Sequence, residues 1–428
     1  MRSTGVENVR LIDYKAYPML DVWAKKSLFR LFSAITTGRI VITEGAETYE
    51  FGGVSSGGGL IAHIEINKPS TYRSVLLGGS IGSAEAFIGG DWSSPELLDV
   101  IRVIVANKEV LEQLDSKQLI WKKWVLAAYR FFKKNTEQGS KENISAHYDI
   151  GNRFFQLFLD KSMMYSSAIY PHEQADIEAA SRYKLDHICR RLNLKKSDHL
   201  LEIGTGWGGL AIHAAKYYGC HVTTTTISQE QFEYANKKVS AEGLDEKITL
   251  LDQDYRKLSG QYDKLVSVEM IEAVGHEYYA AFFQQCSNLL KPEGEMLLQA
   301  ITIADQQYDY ARKSIDFIQR YIFPGGCLPS VAVVAQHVAE DSDMQIVGLE
   351  DITLHYARTL AEWRQRFKEK EKDLLEMGYD ETFLRMWEYY FCYCEGGFRE
   401  RSISTVQLLM AKPLSRNLPR IRHDALAN

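Results

Sequence analysis

The sequence lacks the marks of a secreted, metal-binding or nucleic-acid-binding protein. No run approaches the roughly 18 apolar residues that cross a membrane, and the start, MRSTGVENVR, has no apolar signal-peptide segment. The six cysteines are scattered, and the one close pair, Cys392 and Cys394, is spaced too tightly for a zinc knuckle. The net charge of −6 gives no reason to expect nucleic acid as a partner. We therefore expect a reduced, cytoplasmic protein without a structural metal.

Length and local pattern favour two domains. A chain of 428 residues, 45% apolar, is too long for one ordinary domain and can bury a sizeable core. Helical and strand patterns before residue 116 predict a small α+β unit, with strands at Arg39–Thr43, Thr48–Phe51 and Leu60–Ile66. The segment NTEQGSKEN is the best linker candidate. The predicted division is a first domain over 1–134, a linker over 135–144 and a second domain over 145–428.

A basic, aromatic-rich segment ends the first domain. In LIWKKWVLAAYRFFKK, residues 119–134, tryptophans, tyrosine and phenylalanines alternate with lysines and arginine. Such a helix suits an anionic membrane surface, and it equally suits packing on a neighbouring helix with its basic face in solvent. The tail Lys412–His423 carries three arginines and is either a second lipid-facing element or disordered.

The most informative motif is DHLLEIGTGWGG, residues 198–209. An apolar run followed by Gly204, Gly206 and Gly209 predicts a strand, a tight turn and a helix that bring a nucleotide-like ligand close to the backbone. A dinucleotide site would place an acid about 20 residues further on, yet that stretch reads TTTTIS. The acid stands instead at Glu202, before the glycines, which is the pattern of S-adenosylmethionine (SAM) methyltransferases.

The downstream segments predict a doubly wound α/β sheet. Strand patterns at His221–Thr226, Ile248–Leu251 and Tyr262–Val268 alternate with helical patterns, and NLLKPEGEMLL predicts a helix end, a Pro/Gly turn and a fifth strand. Alternating strands and helices imply a parallel, Rossmann-like sheet with right-handed crossovers. The ligand should lie over the carboxyl ends of its strands.

Several further motifs make the chain resemble the cyclopropane-fatty-acyl-phospholipid synthase family, especially its plant and actinobacterial branch. The resemblance is strong over residues 140–411, and GGSIGSAEAFIGGDW near residue 80 resembles the lipid-binding N-terminal domain of longer members. The motifs are SAHYDIGNRFFQLFLDKSMMYSSAIY, EIGTGWGG, TISQEQ, QDYR, MIEAVG and YIFPGGCLPS.

The resemblance implies a SAM-dependent methyltransferase acting on a cis double bond of a phospholipid acyl chain. In that family the alkene attacks the methyl group, a carbocation forms, bound bicarbonate removes a proton and a cyclopropane ring closes. Tyr255 would stack on adenine with Asp254 beside it. The other implied SAM-contacting residues are Tyr165, Ser166, Glu202, Gly204, Gly206, Thr226, Ile227 and Gln231.

The implied bicarbonate site matches the family in part. Glu272, Ile301 and Tyr356 match, whereas Ser167 stands where the family has cysteine and Gln299 where most members have histidine. Both replacements can hydrogen-bond an oxyanion. Without an effective base, the cation would lose a different proton and give a methyl or methylene branch, for example on the way to a furan fatty acid.

Aromatic side chains in the matched motifs suggest a lipid tunnel whose ring faces stabilise a cation; they are Tyr148, Tyr165, Tyr170, Phe317, Tyr321 and Phe323. The expected partners are an unsaturated phospholipid and the inner face of the membrane, with a homodimer left open. A small-molecule methyltransferase is disfavoured by the lipid-type first domain, and a non-enzymatic lipid-binding protein by the intact SAM pattern.

Overall fold

The computed structural model describes residues 18–53, 59–108, 110, 112, 135–148 and 150–416. The basic aromatic segment 119–134 lies outside these residues, as do the first 17 residues, residues 54–58 and the chain beyond residue 416. The chain divides into two compact units, Met1–Lys123 and Trp124–Asn428. Every helix among the described residues is too short or too polar to span a bilayer.

Residues 135–144, predicted as a linker, are largely helical and held to the second unit. A helix covers Glu137–Tyr148, and Asn135 Nδ2 donates a hydrogen bond to the Gly325 carbonyl at 2.7 Å. Arg256 also donates to the carbonyl of Asn135 at 3.2 Å. The polar composition suggested a linker, whereas this segment begins a helix and is hydrogen-bonded to residues of the second unit.

The described residues of the first unit form a four-stranded sheet and three helices. The sheet order is β2-β1-β3-β4, and the strand ends lie within one residue of the predicted ones. The second helix is kinked at Gly79, whose φ of +61° lies outside the helical region. The elements are α1 (Met19–Phe32), β1 (Arg39–Glu44), β2 (Glu47–Gly52), β3 (Ile61–Ile66), α2 (Ser70–Ile88), β4 (Trp92–Ser93) and α3 (Leu97–Ala106).

The second unit contains a seven-stranded sheet covered by helices. Its first part contains α4 (Glu137–Tyr148), α5 (Asn152–Phe155), α6 (Ile177–Arg191), β5 (His199–Ile203), α7 (Gly209–His213, continued by a π-helical turn to Tyr218), β6 (His221–Thr226), α8 (Gln229–Ala241), β7 (Ile248–Asp252) and β8 (Tyr262–Val268). Its second part contains α9 (Tyr279–Leu289), β9 (Leu290–Ile303), α10 (Asp305–Ala311), α11 (Val331–Asp341), β10 (Gln345–Asp351), α12 (Thr353–Glu369), α13 (Glu371–Glu376), α14 (Glu381–Arg399) and β11 (Ile403–Ala411).

The sheet confirms the predicted doubly wound α/β class. Its strand order is β10-β11-β9-β8-β5-β6-β7. The five strands β9, β8, β5, β6 and β7 are parallel to one another. At one edge, β11 pairs antiparallel with β9, and β10 pairs antiparallel with β11. The prediction of a separate Pro/Gly turn before the fifth strand is wrong, because these residues belong to the strand itself. Residues 292–294 lie inside β9, where the pairing with β8 is irregular, and the Gly294 carbonyl accepts a hydrogen bond from Lys412.

One ion pair is buried within this sheet. Lys264 on β8 and Glu295 on β9 are cross-strand neighbours, their side chains are 6% and 2% exposed, and Nζ lies 2.6 Å from Oε2. Glu295 also accepts a hydrogen bond from Ser415 at 2.7 Å. Removing one partner from such a pair leaves an uncompensated buried charge, whereas removing both does not.

We therefore expect Lys264→Met to lower the free energy of unfolding by about 3–5 kcal/mol, measured by urea denaturation. The double variant Lys264→Met/Glu295→Leu should recover most of that loss. Lys372→Met, which removes an exposed i,i+4 partner of Glu376, is the matched control and should cost less than about 1 kcal/mol. Equal effects of the buried and exposed single substitutions would contradict this account of the sheet.

Candidate active site

The glycine turn lies at the carboxyl end of β5, where the doubly wound sheet places its ligands. Gly204 and Gly206 have φ of +102° and +53°, a region that favours glycine. A Cβ on Gly204 would come within 3.3 Å of Met270, whereas a Cβ on Gly206 would meet nothing within 4 Å. The turn therefore has open space at Gly206, as a site for a ligand close to the backbone requires.

Glu202 lies below this turn and is buried. Its Oε2 accepts a hydrogen bond from Thr224 Oγ1 at 2.6 Å, and Thr224 is also 2.7 Å from Thr205 Oγ1. Burial raises the pKa of Glu202 to about 8, against the opposing effects of the Thr224 hydrogen bond and the Lys184 charge. In this structure the Glu202 side chain links β5 to the neighbouring strand β6 through its hydrogen bond with Thr224. A contact between Glu202 and SAM stays a prediction.

The residues predicted to bind SAM from β6 lie together at the end of that strand. Thr226 Oγ1 and Gln231 Oε1 are 3.0 Å apart, both side chains are buried, and Ile227 between them is half-buried. Ser228 caps α8 by accepting a hydrogen bond from the Gln231 amide. The strand and the helix cap thus fix this polar edge beside the glycine turn.

Asp254 and Tyr255 follow β7 but are engaged within the protein. Both carboxylate oxygens of Asp254 bind Arg256, at 2.8 and 2.6 Å. Burial alone would raise the pKa of Asp254, but the hydrogen bonds and charge of Arg256 hold it below the usual value. The Tyr255 ring is buried edge-on against Phe282, with 5.5 Å between ring centroids. Stacking of this ring on adenine stays a prediction.

Tyr165, Ser166 and Ser167 bring a loop before α6 into the same region. The Tyr165 hydroxyl donates to Tyr390 at 2.9 Å, and Lys184 Nζ donates to Ser166 Oγ at 2.9 Å. Burial lowers the pKa of Lys184 to about 8, although three carboxylates, Glu269 first among them, oppose the shift. The sequence patterns did not point to this buried lysine.

Three of the residues assigned to the bicarbonate site converge on a carboxylate that the motif analysis missed. Glu269 Oε1 accepts hydrogen bonds from the Ser167 amide at 2.9 Å and from Gln299 Nε2 at 2.7 Å. Glu269 Oε2 accepts one from the Tyr356 hydroxyl at 2.8 Å. We call Ser167, Gln299 and Tyr356 the anion site. The signal available in the sequence was an acid directly after the fourth predicted strand, three residues before Glu272.

Glu272 and Ile301 form a second contact beside the anion site. The Ile301 amide donates to Glu272 Oε1 at 2.5 Å, and Oε2 is buried without a hydrogen-bond partner among the described residues. Burial and the neighbouring charge of Glu269 raise the pKa of Glu272 to about 8. Among the described residues, Glu272 thus hydrogen-bonds Ile301 but none of the side chains of the anion site.

The predicted aromatic cluster is brought together only in part. The ring centroid of Tyr165 is 6.2 Å from that of Phe323 and 5.4 Å from that of Trp363, which the motifs did not single out. Phe317 packs on Tyr321 at 5.6 Å. Tyr170 instead stacks on His355 with Arg358 over its ring. The side chain of Tyr148 lies outside the described residues.

The glycine turn, the polar end of β6 and the doubly wound sheet define a SAM-dependent methyltransferase. More particularly, the chain belongs to the mycolic acid cyclopropane synthetase family, whose model matches residues 135–408.

Similar proteins agree with this family. The chain is 36% identical to the tuberculostearic acid methyltransferase of Mycobacterium tuberculosis over 80% of this chain and 81% of the relative. It is 34% identical to the cyclopropane-fatty-acyl-phospholipid synthase of Escherichia coli K12 over 86% and 92%. The solved cyclopropane synthase MmaA2 from Mycobacterium tuberculosis is similar with a TM-score of 0.60 and 29% identity, over 64% of this chain and 98% of that one.

The open space at Gly206 generates a prediction. Gly206→Val should lower SAM affinity at least about tenfold, or 1.4 kcal/mol, because a branched side chain would fill the space beside the backbone. Isothermal titration calorimetry on the folded variant measures this change. Gly243→Val is the matched control, since Gly243 also has positive φ (+65°) and open space but lies in the turn before β7. Equal SAM affinity in the two variants would refute the assignment of this turn.

Proposed function

We propose that this protein transfers the SAM methyl group to a cis double bond of an unsaturated phospholipid acyl chain, with a cyclopropane ring as the product. The observation that carries the proposal is the pair of buried carboxyls, Glu269 and Glu272, beside the glycine turn. A cation on a hydrocarbon chain must lose a proton to a base in a place from which water is excluded. Relatives named for cyclopropane and fatty acid products support a lipid substrate.

The residues at the strand ends fit SAM, which supplies an electrophilic methyl group. Gly204 and Gly206 permit close approach of the ligand to the backbone, and Thr226 and Gln231 offer polar atoms at the end of β6. A solved relative, mycolic acid cyclopropane synthase CmaA1, is complexed with SAH and CTAB and has a TM-score of 0.59 at 28% identity. We propose that the other residues implied by the family resemblance also contact SAM; they are Tyr165, Ser166, Glu202, Ile227, Asp254 and Tyr255.

The aromatic side chains around Tyr165 suit a cationic intermediate on an acyl chain. The ring centroid of Tyr165 lies 6.2 Å from that of Phe323 and 5.4 Å from that of Trp363. The face of each ring attracts a nearby cation by about 0.5–2 kcal/mol, most when water is excluded. These rings therefore combine an apolar environment for the chain with stabilisation of its positive charge.

The main alternative shares the methyl transfer and ends without ring closure, in a methyl- or methylene-branched chain. Ser167 and Gln299 support this alternative, because they replace the cysteine and histidine that the resemblance to ring-forming enzymes implies at the bicarbonate site. The relative named tuberculostearic acid methyltransferase adds support. A small-molecule methyltransferase or a non-enzymatic lipid-binding protein has no comparable observation in its favour.

We also propose that the protein works at a membrane surface, with residues 119–134 as the contact. This segment lies outside the described residues, and its lysines and aromatic residues carry the proposal. Changing Lys122, Lys123, Lys133 and Lys134 to Glu should weaken co-sedimentation with anionic vesicles, and high salt should weaken that of the wild type. Binding unchanged in both tests would favour internal packing of the segment.

The proposed reaction is tested with SAM and vesicles of matched saturated and unsaturated phospholipids. We expect only unsaturated chains to gain one CH₂ by lipid mass spectrometry. Ring and methylene products have the same mass, so ozonolysis separates them: a cyclopropane resists cleavage and a methylene branch does not. Labelled methyl transfer to saturated chains, or none to any lipid, would contradict the proposal.

A further inference from the structure

The residues that would hold bicarbonate already hold a carboxylate of this chain. Ser167 N–H, Gln299 Nε2 and Tyr356 OH all donate to Glu269, at 2.9, 2.7 and 2.8 Å. A bicarbonate bound by the same three donors would have to displace the Glu269 side chain into a buried region. The anion site therefore does not fit a separate bicarbonate.

A chain of hydrogen bonds fixes the direction in which Gln299 points. Arg191, which can only donate, gives a hydrogen bond to Gln407 Oε1 at 3.2 Å. The amide nitrogen of Gln407 then donates to Gln299 Oε1 at 2.9 Å, and this turns Gln299 Nε2 toward Glu269. The Ser167 amide can also only donate. Glu269 Oε1 thus receives two N–H donors, as an ionised carboxylate does.

The neighbouring acids Glu269 and Glu272 differ in their hydrogen-bond partners. Glu269 has hydrogen bonds from Gln299, Ser167 and Tyr356 and the charge of Lys184, which all oppose the rise in its pKa that burial causes. Glu272 has a buried oxygen without a hydrogen-bond partner among the described residues, and burial and the charge of Glu269 raise its pKa to about 8. The three donors around Glu269 favour its ionised form and the unpartnered oxygen of Glu272 favours its neutral form, which avoids two adjacent buried negative charges.

The location of Glu269 suits contact with the reacting carbons. It directly follows β8, at the carboxyl edge of the sheet, and its φ of +49° is unusual for a residue other than glycine. The next residue, Met270, lies against Gly204 of the SAM turn. Ser167, which binds Glu269, follows Tyr165 and Ser166 in the chain. The carboxylate therefore lies between the two segments assigned to SAM.

We propose that the Glu269 carboxylate is the base of this enzyme and replaces bicarbonate; the inference rests on the proposed function. The alkene electron pair forms a bond to the methyl carbon while the methyl–sulfur pair leaves with sulfur. A cation remains on the other alkene carbon. Glu269 Oε2 then takes a proton from the new methyl group, and that C–H pair closes the ring. If a hydride first shifts to the cation, the same proton loss gives a methylene branch.

The test compares wild type, Glu269→Gln and Glu269→Gly on unsaturated phospholipid vesicles with SAM, with and without added bicarbonate in carbon-dioxide-free buffer. Wild-type turnover should not depend on bicarbonate. Glu269→Gln keeps the shape but removes the base, so turnover should fall at least about a hundredfold with SAM affinity unchanged within about threefold. Glu269→Gly empties the anion site, and glycine suits φ +49°, so its turnover should become bicarbonate-dependent.

Equilibrium dialysis with labelled bicarbonate provides a readout that does not need lipid turnover. We expect saturable binding to Glu269→Gly and none to the wild type. Bicarbonate binding to the wild type, bicarbonate-dependent wild-type turnover, or full activity of Glu269→Gln would each overturn the proposal while leaving lipid methylation intact. Absence of methyl transfer by the wild type would instead refute the proposed function, and dialysis would still decide what occupies the anion site.

Discussion

A carboxylate buried away from water must be matched by hydrogen-bond donors, and this requirement organises the centre of the protein. The Glu269 carboxylate follows the parallel strand β8, yet its donors come from the loop before α6, from β9 and from α12. The antiparallel strand β11 contributes Gln407 behind Gln299. One charge therefore holds parts of the fold that are distant in sequence against the same edge of the sheet.

The same electrostatic constraint links the anion site to the SAM turn. Lys184 on α6 is buried, and its positive charge opposes the rise that burial causes in the pKa of both Glu202 and Glu269. Glu202 supports the turn through Thr224, and Met270, next to Glu269, lies against Gly204. The glycine turn proposed to bind SAM and the carboxylate proposed to accept the proton thus lie near the same buried lysine and on adjacent backbone.

Periodicity and glycine placement predicted most of the sheet. The strands His221–Thr226 and Tyr262–Val268 have the predicted bounds, because alternating apolar patterns and turn residues are local signals. The Pro/Gly segment of β9 was misjudged because its strand pairing with β8 and its contact with Lys412 are tertiary effects. Asn135 was placed in a linker for the same reason: its partner, Gly325, lies far along the chain.

The sequence motifs predicted which residues belong to the candidate site but not what each of them binds. The motifs named Ser167, Gln299, Tyr356 and Glu272. No local sequence pattern shows that the first three donate hydrogen bonds to Glu269. Glu269 appears in the sequence as one more acid beside a strand end. Its importance comes from three hydrogen bonds whose partners are 30 to 102 residues away, and such pairings follow only from the folded arrangement.

The most direct test of Glu269 as the base is a crystal structure of the wild type grown with S-adenosylhomocysteine and excess bicarbonate. The account predicts the Glu269 carboxylate within hydrogen-bonding distance of Ser167, Gln299 and Tyr356, with no separate planar anion between them. A bicarbonate bound to those three residues, with the Glu269 side chain turned away, would contradict it.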